Sequence, residues 1–130
     1  VLCDISGISA HFEEGYITYS EEAKCKNLGV LPETIAHYGV VSCDVAEEMA
    51  MGAAERANAD CAIATTGVAG PTGGTDENPV GTVCFACVVK NQVITERMIF
   101  EGNRMEIRMQ AAVYAIEMLC DYIESCYEED

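Results

Sequence analysis

From Cys61 through Thr75 the chain carries no charged side chain. That run opens into TTGVAGPTGGTDENPVGTV, Thr65 to Val83, which holds five of the chain's eleven glycines and two of its three prolines. Such a stretch cannot continue a helix or a regular strand, because glycine costs backbone entropy and proline removes a donor. The run Cys61 to Thr65 that leads into it is short, uncharged and preceded by a helical pattern. It reads as a central strand buried on both faces. The loop therefore divides the chain into a mainly helical first half and a second half of strands and one long helix.

EGYITY, Glu14 to Tyr19, reads as a strand, with Tyr16 and Thr18 alternating against Ile17 and Tyr19. SEEAKCKNLG predicts a short helix: Ser20 can cap it, acids fill its first turn, lysines follow and Gly29 can end it. LPETIAHYG repeats that punctuation, with Pro32 at a first helical position and Gly39 as the stop. Ser42 can cap a longer helix, Cys43 to about Ala57, whose apolar stripe is Val45, Met49, Ala53 and neighbouring alanines. Val80 to Val89 and Val93 to Phe100 predict an antiparallel hairpin with a tight Asn91-Gln92 turn. Arg104 to about Cys126 has the clearest helical period, with Met105, Met109, Ala112, Ile116, Leu119, Ile123 and Cys126 recurring along one face. The order predicts an α/β fold, a three-layer α/β/α sandwich with a mixed β-sheet, as one domain over residues 1–130.

A length of 130 residues, half of them apolar, suits one domain with a core of its own. The balance of 22 acidic to 7 basic residues leaves a net charge of −15. Such a surface repels phosphate backbones and anionic lipid, so nucleic acid and membranes are not expected partners. No apolar run approaches the roughly 20 residues of a membrane span, and no signal-peptide pattern is present. Cys61, Cys84 and Cys87 fall in strand-like runs and Cys120 in a helical one, where thiols act as small buried hydrophobes. Reduced cysteines and a cytoplasmic location are therefore expected. CFAC, Cys84 to Cys87, has metal-site spacing, but in a strand residues three apart point to opposite faces, so no metal is expected there.

Three constellations could carry chemistry. The glycine loop leaves a strand end, where open α/β sheets place ligands. Its main-chain N–H groups and the hydroxyls of Thr65, Thr66, Thr72 and Thr75 suit a carboxylate, phosphate or developing oxyanion. It lacks the Gly-Lys-Ser/Thr of a Walker loop and the following helix of a dinucleotide fingerprint. An irregular crossover that uses glycine only for turning stays open as the other reading. Tyr19 and Lys24 form the second constellation, since an ammonium beside a phenol favours the phenolate and proton relay, although such pairs are commonly surface residues. Arg104 and Arg108, one helical turn apart, could form an anion site, or could pair with Glu101, Glu106 or Glu117. His11 and His37 have no metal-motif partner, Ser9 has no nucleophile context, and Ser42 is explained as a cap.

Taken together, EEGYITYSEEAKCKNLGV, HYGVVSCDVAEEMAMGA, ADCAIATTGVAGPTGGTDENPVGTV and FEGNRMEIRMQAA resemble the CinA carboxy-terminal domain family, from about Gly7 to Ile116. The family includes the nicotinamide-nucleotide amidohydrolases of pyridine-nucleotide salvage. The resemblance implies a self-associated α/β/α domain that hydrolyses the carboxamide of nicotinamide mononucleotide, giving nicotinate mononucleotide and ammonia, with no cofactor. Tyr19 and Lys24 fall on the family's YS-x-x-A-K positions, as catalytic residues. Thr66, Gly67, Gly70, Pro71, Gly73 and Gly74 fall on its glycine loop, and Arg104 and Arg108 on its G-x-R-x-x-x-R positions, as substrate-binding residues. The family also carries an SCTGG-type turn ahead of the stretch matched by Gly7–Ser9. Here that turn is absent, so an amino-terminally truncated domain is expected, with the nucleophile in the missing turn and apolar surface left for a partner chain to cover. The alternative is a catalytically silent nucleotide-binding or scaffolding module of the same fold.

Overall fold

Serine caps open two of the helices at the places the sequence marks. In the computed structural model, which describes residues 2–128, Ser20 accepts the Ala23 N–H and starts α1, Glu21–Leu28. Gly29 then closes α1 in the left-handed conformation, where its N–H bonds back to the last turn. Pro32 opens α2, Pro32–Tyr38, and Gly39 ends it. Ser42 accepts the Val45 N–H at the head of α3, Cys43–Ala57, and Asn58 in the left-handed region stops it.

Three strands follow: β1, Cys61–Gly67; β2, Thr82–Val89; and β3, Gln92–Ile99. Their order is β1-β2-β3, with both pairs antiparallel. The α/β class holds, and four sequence expectations are corrected. The sheet is antiparallel rather than mixed among the described residues, because the glycine loop folds back on itself and returns β2 directly beside β1. The strand buried on both faces is β2, every residue of which is buried, whereas β1 lies at an edge with exposed positions at its end. Glu14–Tyr19 runs extended but joins no ladder, so its expected strand does not form among the described residues. The hairpin turn is Lys90-Asn91, one residue earlier than expected, since both adopt positive φ and Val89 pairs with Gln92.

The helices cover opposite faces. Against α3, the sheet presents Ala64, Cys84, Ala86 and Val88 to Val45, Ala46, Met49 and Ala50. The other face carries Val83, Phe85 and Cys87 under α4, Arg104–Glu128, which packs Ala115 and Met118 there. This is the expected three-layer arrangement. Cys84 and Cys87 thus sit in different layers, so their sulfurs diverge as the strand geometry requires. The start of α4 is set by reciprocal bonds: Asn103 Oδ1 accepts the Glu106 N–H, and Glu106 Oε1 accepts the Asn103 N–H, both at 2.9 Å.

The expected apolar stripe of α4 is corrected. Ile107, Ala111, Ala115, Met118 and Tyr122 face the protein, joined by Leu119 of the expected line, while Met105 and Met109 at its start point outward, Met105 at 72% exposure. Two apolar lines run along this helix, and the aromatic side chains of the sheet select the one with smaller residues at its start. Ile17 and Tyr19 are also exposed apolar residues.

Candidate functional site

Alternation along β1 sorts its two threonines to different layers. Thr66 lies on the α3 face, buried, and its hydroxyl donates to Val40 O at 2.8 Å. Its side chain is therefore committed to the turn that precedes α3. Thr65 lies on the α4 face and, with Gly67, Ala69, Val83, Ile107, Arg108, Ala111 and Ala112, lines a cavity of about 230 Å³. The sequence reading placed Thr66 among the binding residues and left Thr65 as one hydroxyl of four. The period of two in the strand is the signal that separates them.

The glycines of the loop divide by what surrounds them. A Cβ at Gly67 would meet Thr82 O at 2.7 Å, and one at Gly74 would meet Val80 N at 2.8 Å. Close approach of loop to strand thus excludes any side chain at both positions. A Cβ at Gly70, which is at positive φ, would meet the Val80 side chain, while one at Gly73, also at positive φ, would meet only Val68 Cγ1, at 3.7 Å. The Gly70-Pro71 peptide bond is cis. Thr72, Gly73 and Gly74 are exposed, and their N–H groups meet no acceptor among the described residues. The loop is pinned on either side of them: Val68 N–H donates to Thr82 O, Gly81 N–H to Val68 O, and Thr75 N–H to Asn78 O. The N–H groups between these pins are left without protein acceptors, donors of the kind an anion or oxyanion uses.

Lys24 stands in the first turn of α1, only 8% exposed, and its Nζ donates to Thr18 O at 2.7 Å. Burial lowers its pKa from the ordinary lysine value, and the nearby Glu21 carboxylate opposes that shift. A buried lysine that gives up its proton more readily is a usable base. Its neighbour in the sequence reading, Tyr19, meets a different cation. Arg104 Nη2 donates to Tyr19 Oη at 3.2 Å, and Arg104 Nη1 donates to Gly70 O at 2.8 Å. The structure brings Tyr19, Gly70 and Arg104 together, and Lys24 reaches them through the backbone of Thr18-Tyr19. Arg108 faces the smaller cavity without a side-chain partner among the described residues. Among the described residues neither arginine takes a glutamate, and Glu106 is occupied with the Asn103 N–H.

A larger cavity, about 660 Å³, opens between α2 and α3 and is walled by Asp44, Glu47, Glu48 and Glu55. Glu48 there accepts from Leu31 N–H and Thr34 Oγ1, fixing the start of α2. Its charge repels anions, so the smaller cavity beside the glycine loop is the one whose chemistry matches the motifs.

An antiparallel sheet between two helical layers, with a glycine-rich loop joined through Gly70 to Arg104 and Tyr19 beside a small cavity, defines an α/β domain with one candidate site on its α4 face. The chain belongs to the CinA C-terminal domain family, whose model matches residues 1–123. It is 49% identical over 120 residues to nicotinamide-nucleotide amidohydrolase PncC of Escherichia coli K12, covering 92% of this chain and 73% of that relative. A CinA-like protein of Chlorobium chlorochromatii is 47% identical over 114 residues, which make up 85% of this chain and 27% of that longer one. Among solved structures, the competence/damage inducible protein CihA of Agrobacterium tumefaciens superposes with a TM-score of 0.90 at 42% identity, covering 92% of this chain and 74% of that one.

Proposed function

We propose that this chain is a nicotinamide-nucleotide amidohydrolase domain, converting nicotinamide mononucleotide and water to nicotinate mononucleotide and ammonia in pyridine-nucleotide salvage. The observation that carries the reading is the 49% identity to PncC over 92% of the chain. In this reading Lys24 takes the proton from the attacking group, and Tyr19 relays a proton toward the leaving nitrogen. The free N–H groups of Thr72–Gly74 receive the negative charge that develops on the carboxamide oxygen. Pro71 shapes the loop, Gly67 and Gly70 let it seat against its neighbours, and an arginine of α4, Arg104 or Arg108, answers for the phosphate. The protein works in the cytoplasm, where its eight free cysteines stay reduced, and self-associates through exposed apolar positions such as Met105, Met109 and Ile17. Among the described residues no helix is long and apolar enough to cross a membrane.

The test is ammonia release from nicotinamide mononucleotide by the wild-type chain and by Lys24→Ala. The expected result is turnover that falls at least about a hundredfold in the variant, the scale of losing a positioned general base. A second reading, a nucleotide-binding module without hydrolysis, is favoured by one observation: no side-chain hydroxyl or thiol bonds to Lys24 Nζ among the described residues. Tight binding of nicotinamide mononucleotide with no ammonia from the wild type would establish that reading instead.

A further inference from the structure

The two arginines of α4 are one turn apart, about 6 Å along the helix axis, yet their surroundings differ completely. The guanidinium of Arg104 is already engaged in two directions, by Gly70 O on the loop and by Tyr19 Oη on the extended segment before α1. Tyr19 is 86% exposed, so little packing holds its ring, and the bond from Arg104 is what places its hydroxyl. The phenol oxygen accepts from Arg104, which leaves its own O–H free to point at a ligand. Arg108 shows the opposite pattern. It is exposed, has no side-chain partner among the described residues, and borders the cavity with Thr65 and Gly67.

We infer that the pair divides its labour. Arg104 is a positioning residue that clamps the glycine loop and Tyr19 into one wall, and Arg108 is the cation that takes the phosphate of the ligand. A planar fork suits the first task, because two N–H groups in fixed directions span two acceptors that one ammonium could not hold at the same angle. The second task needs a cation with its donors uncommitted, in a chain whose net charge of −15 otherwise repels phosphate. The inference rests on the amidohydrolase reading only for the choice of ligand.

The experiment compares Arg104→Gln, Arg104→Lys and Arg108→Gln by calorimetric binding of nicotinate mononucleotide and of nicotinate riboside, which lacks the phosphate. Amide exchange at Val68, Thr75 and Gly81, the loop's internally bonded N–H groups, is measured in parallel. Arg108→Gln is expected to weaken the nucleotide at least about tenfold, leave the riboside unchanged and leave loop exchange unchanged. Arg104→Gln is expected to weaken both ligands by the same factor and to speed exchange several-fold, and Arg104→Lys is not expected to restore either. Selective loss of the nucleotide in Arg104→Gln with unchanged loop exchange would overturn the assignment, as would rescue by lysine. A wild type that binds neither nucleotide nor inorganic phosphate overturns the Arg108 half. Binding and exchange need no turnover, so absence of ammonia release bears on the proposed activity alone.

Discussion

The two faces of the sheet are closed by different means. On the α3 side the contact is made by small residues at close range: Ala46, Ala50, Ala64 and Ala86 let helix and strands approach, and Gly52 lies directly under the Leu28 carbonyl of α1. On the α4 side it is made by rings. Phe85 meets Tyr114 at 4.9 Å and Phe100 at 6.1 Å between centroids, the latter edge-on at 88°. Small residues allow one separation and no slack. Toward the amino end of α4, beyond these rings, lies the cavity beside the glycine loop, lined by Thr65, Val83, Ile107 and Arg108. The candidate site belongs to the ring-lined face, where the cavity beside the glycine loop opens and the acidic walls of the larger cavity are absent.

Three substitutions sharpen that contrast, taken from the largest expected effect downward. Gly52→Val places a Cβ on top of Leu28 O and forces α1 off α3, since backbone cannot give way as a side chain can. The expected loss is about 4 kcal/mol or more in urea unfolding, a severe overpacking of the tight face. If the variant unfolds within 1 kcal/mol of wild type, taking about that as the size of a typical mutation, the tight-face description fails. Phe85→Ala on the other face is expected to cost about 3–4 kcal/mol by leaving a cavity among Phe100 and Tyr114. Met109→Ala, on the outward line of the same helix, is expected to stay within about 0.5 kcal/mol. A cost for Met109→Ala comparable with that for Phe85→Ala would reverse the assignment of the buried stripe.

A fourth prediction concerns Cys87, on the ring-lined face, whose thiol is pushed up to about 12 by burial, with Glu96 adding to the shift. The sign follows from proton counting. Between the unfolded value near 9 and the folded value the native state binds more protons, so stability present below pH 9 is lost as pH rises toward 12. The expected slope from this thiol is about 1.4 kcal/mol per pH unit, and Cys87→Val is expected to flatten it. Lys24 contributes with the opposite sign, because its pKa is lowered and stability rises as its unfolded counterpart loses its proton. Unfolding midpoints followed from pH 8 to 11 in wild type and Cys87→Val check the prediction.

Local chemistry was legible where a residue acts within a few positions of itself. Ser20, Gly29, Pro32, Gly39 and Ser42 cap and stop helices where the sequence marks them, since a cap involves only neighbouring backbone. The divergence of Cys84 from Cys87 followed from strand pleating alone. What failed involved choosing between partners distant in the chain. Which apolar line of α4 turns inward depends on the ring of Phe85, and which strand is central depends on β2 having a neighbour on each side. At the site, the sequence picked out Tyr19, Lys24, the glycine loop, Arg104 and Arg108 as residue types. It paired Tyr19 with the nearby Lys24, where the fold pairs it with Arg104, 85 residues on.

By itself, then, the sequence determined the α/β class, the caps, the rigid uncharged loop and the identity of the chemical groups, because each rests on spacing, backbone freedom or charge read along the chain. The tertiary structure alone decided the antiparallel sheet, the inward stripe of α4, the commitment of Thr66 to Val40 and the different surroundings of Arg104 and Arg108. Those are contacts between segments far apart in sequence, and the free energy that selects them is shared among partners no single segment contains.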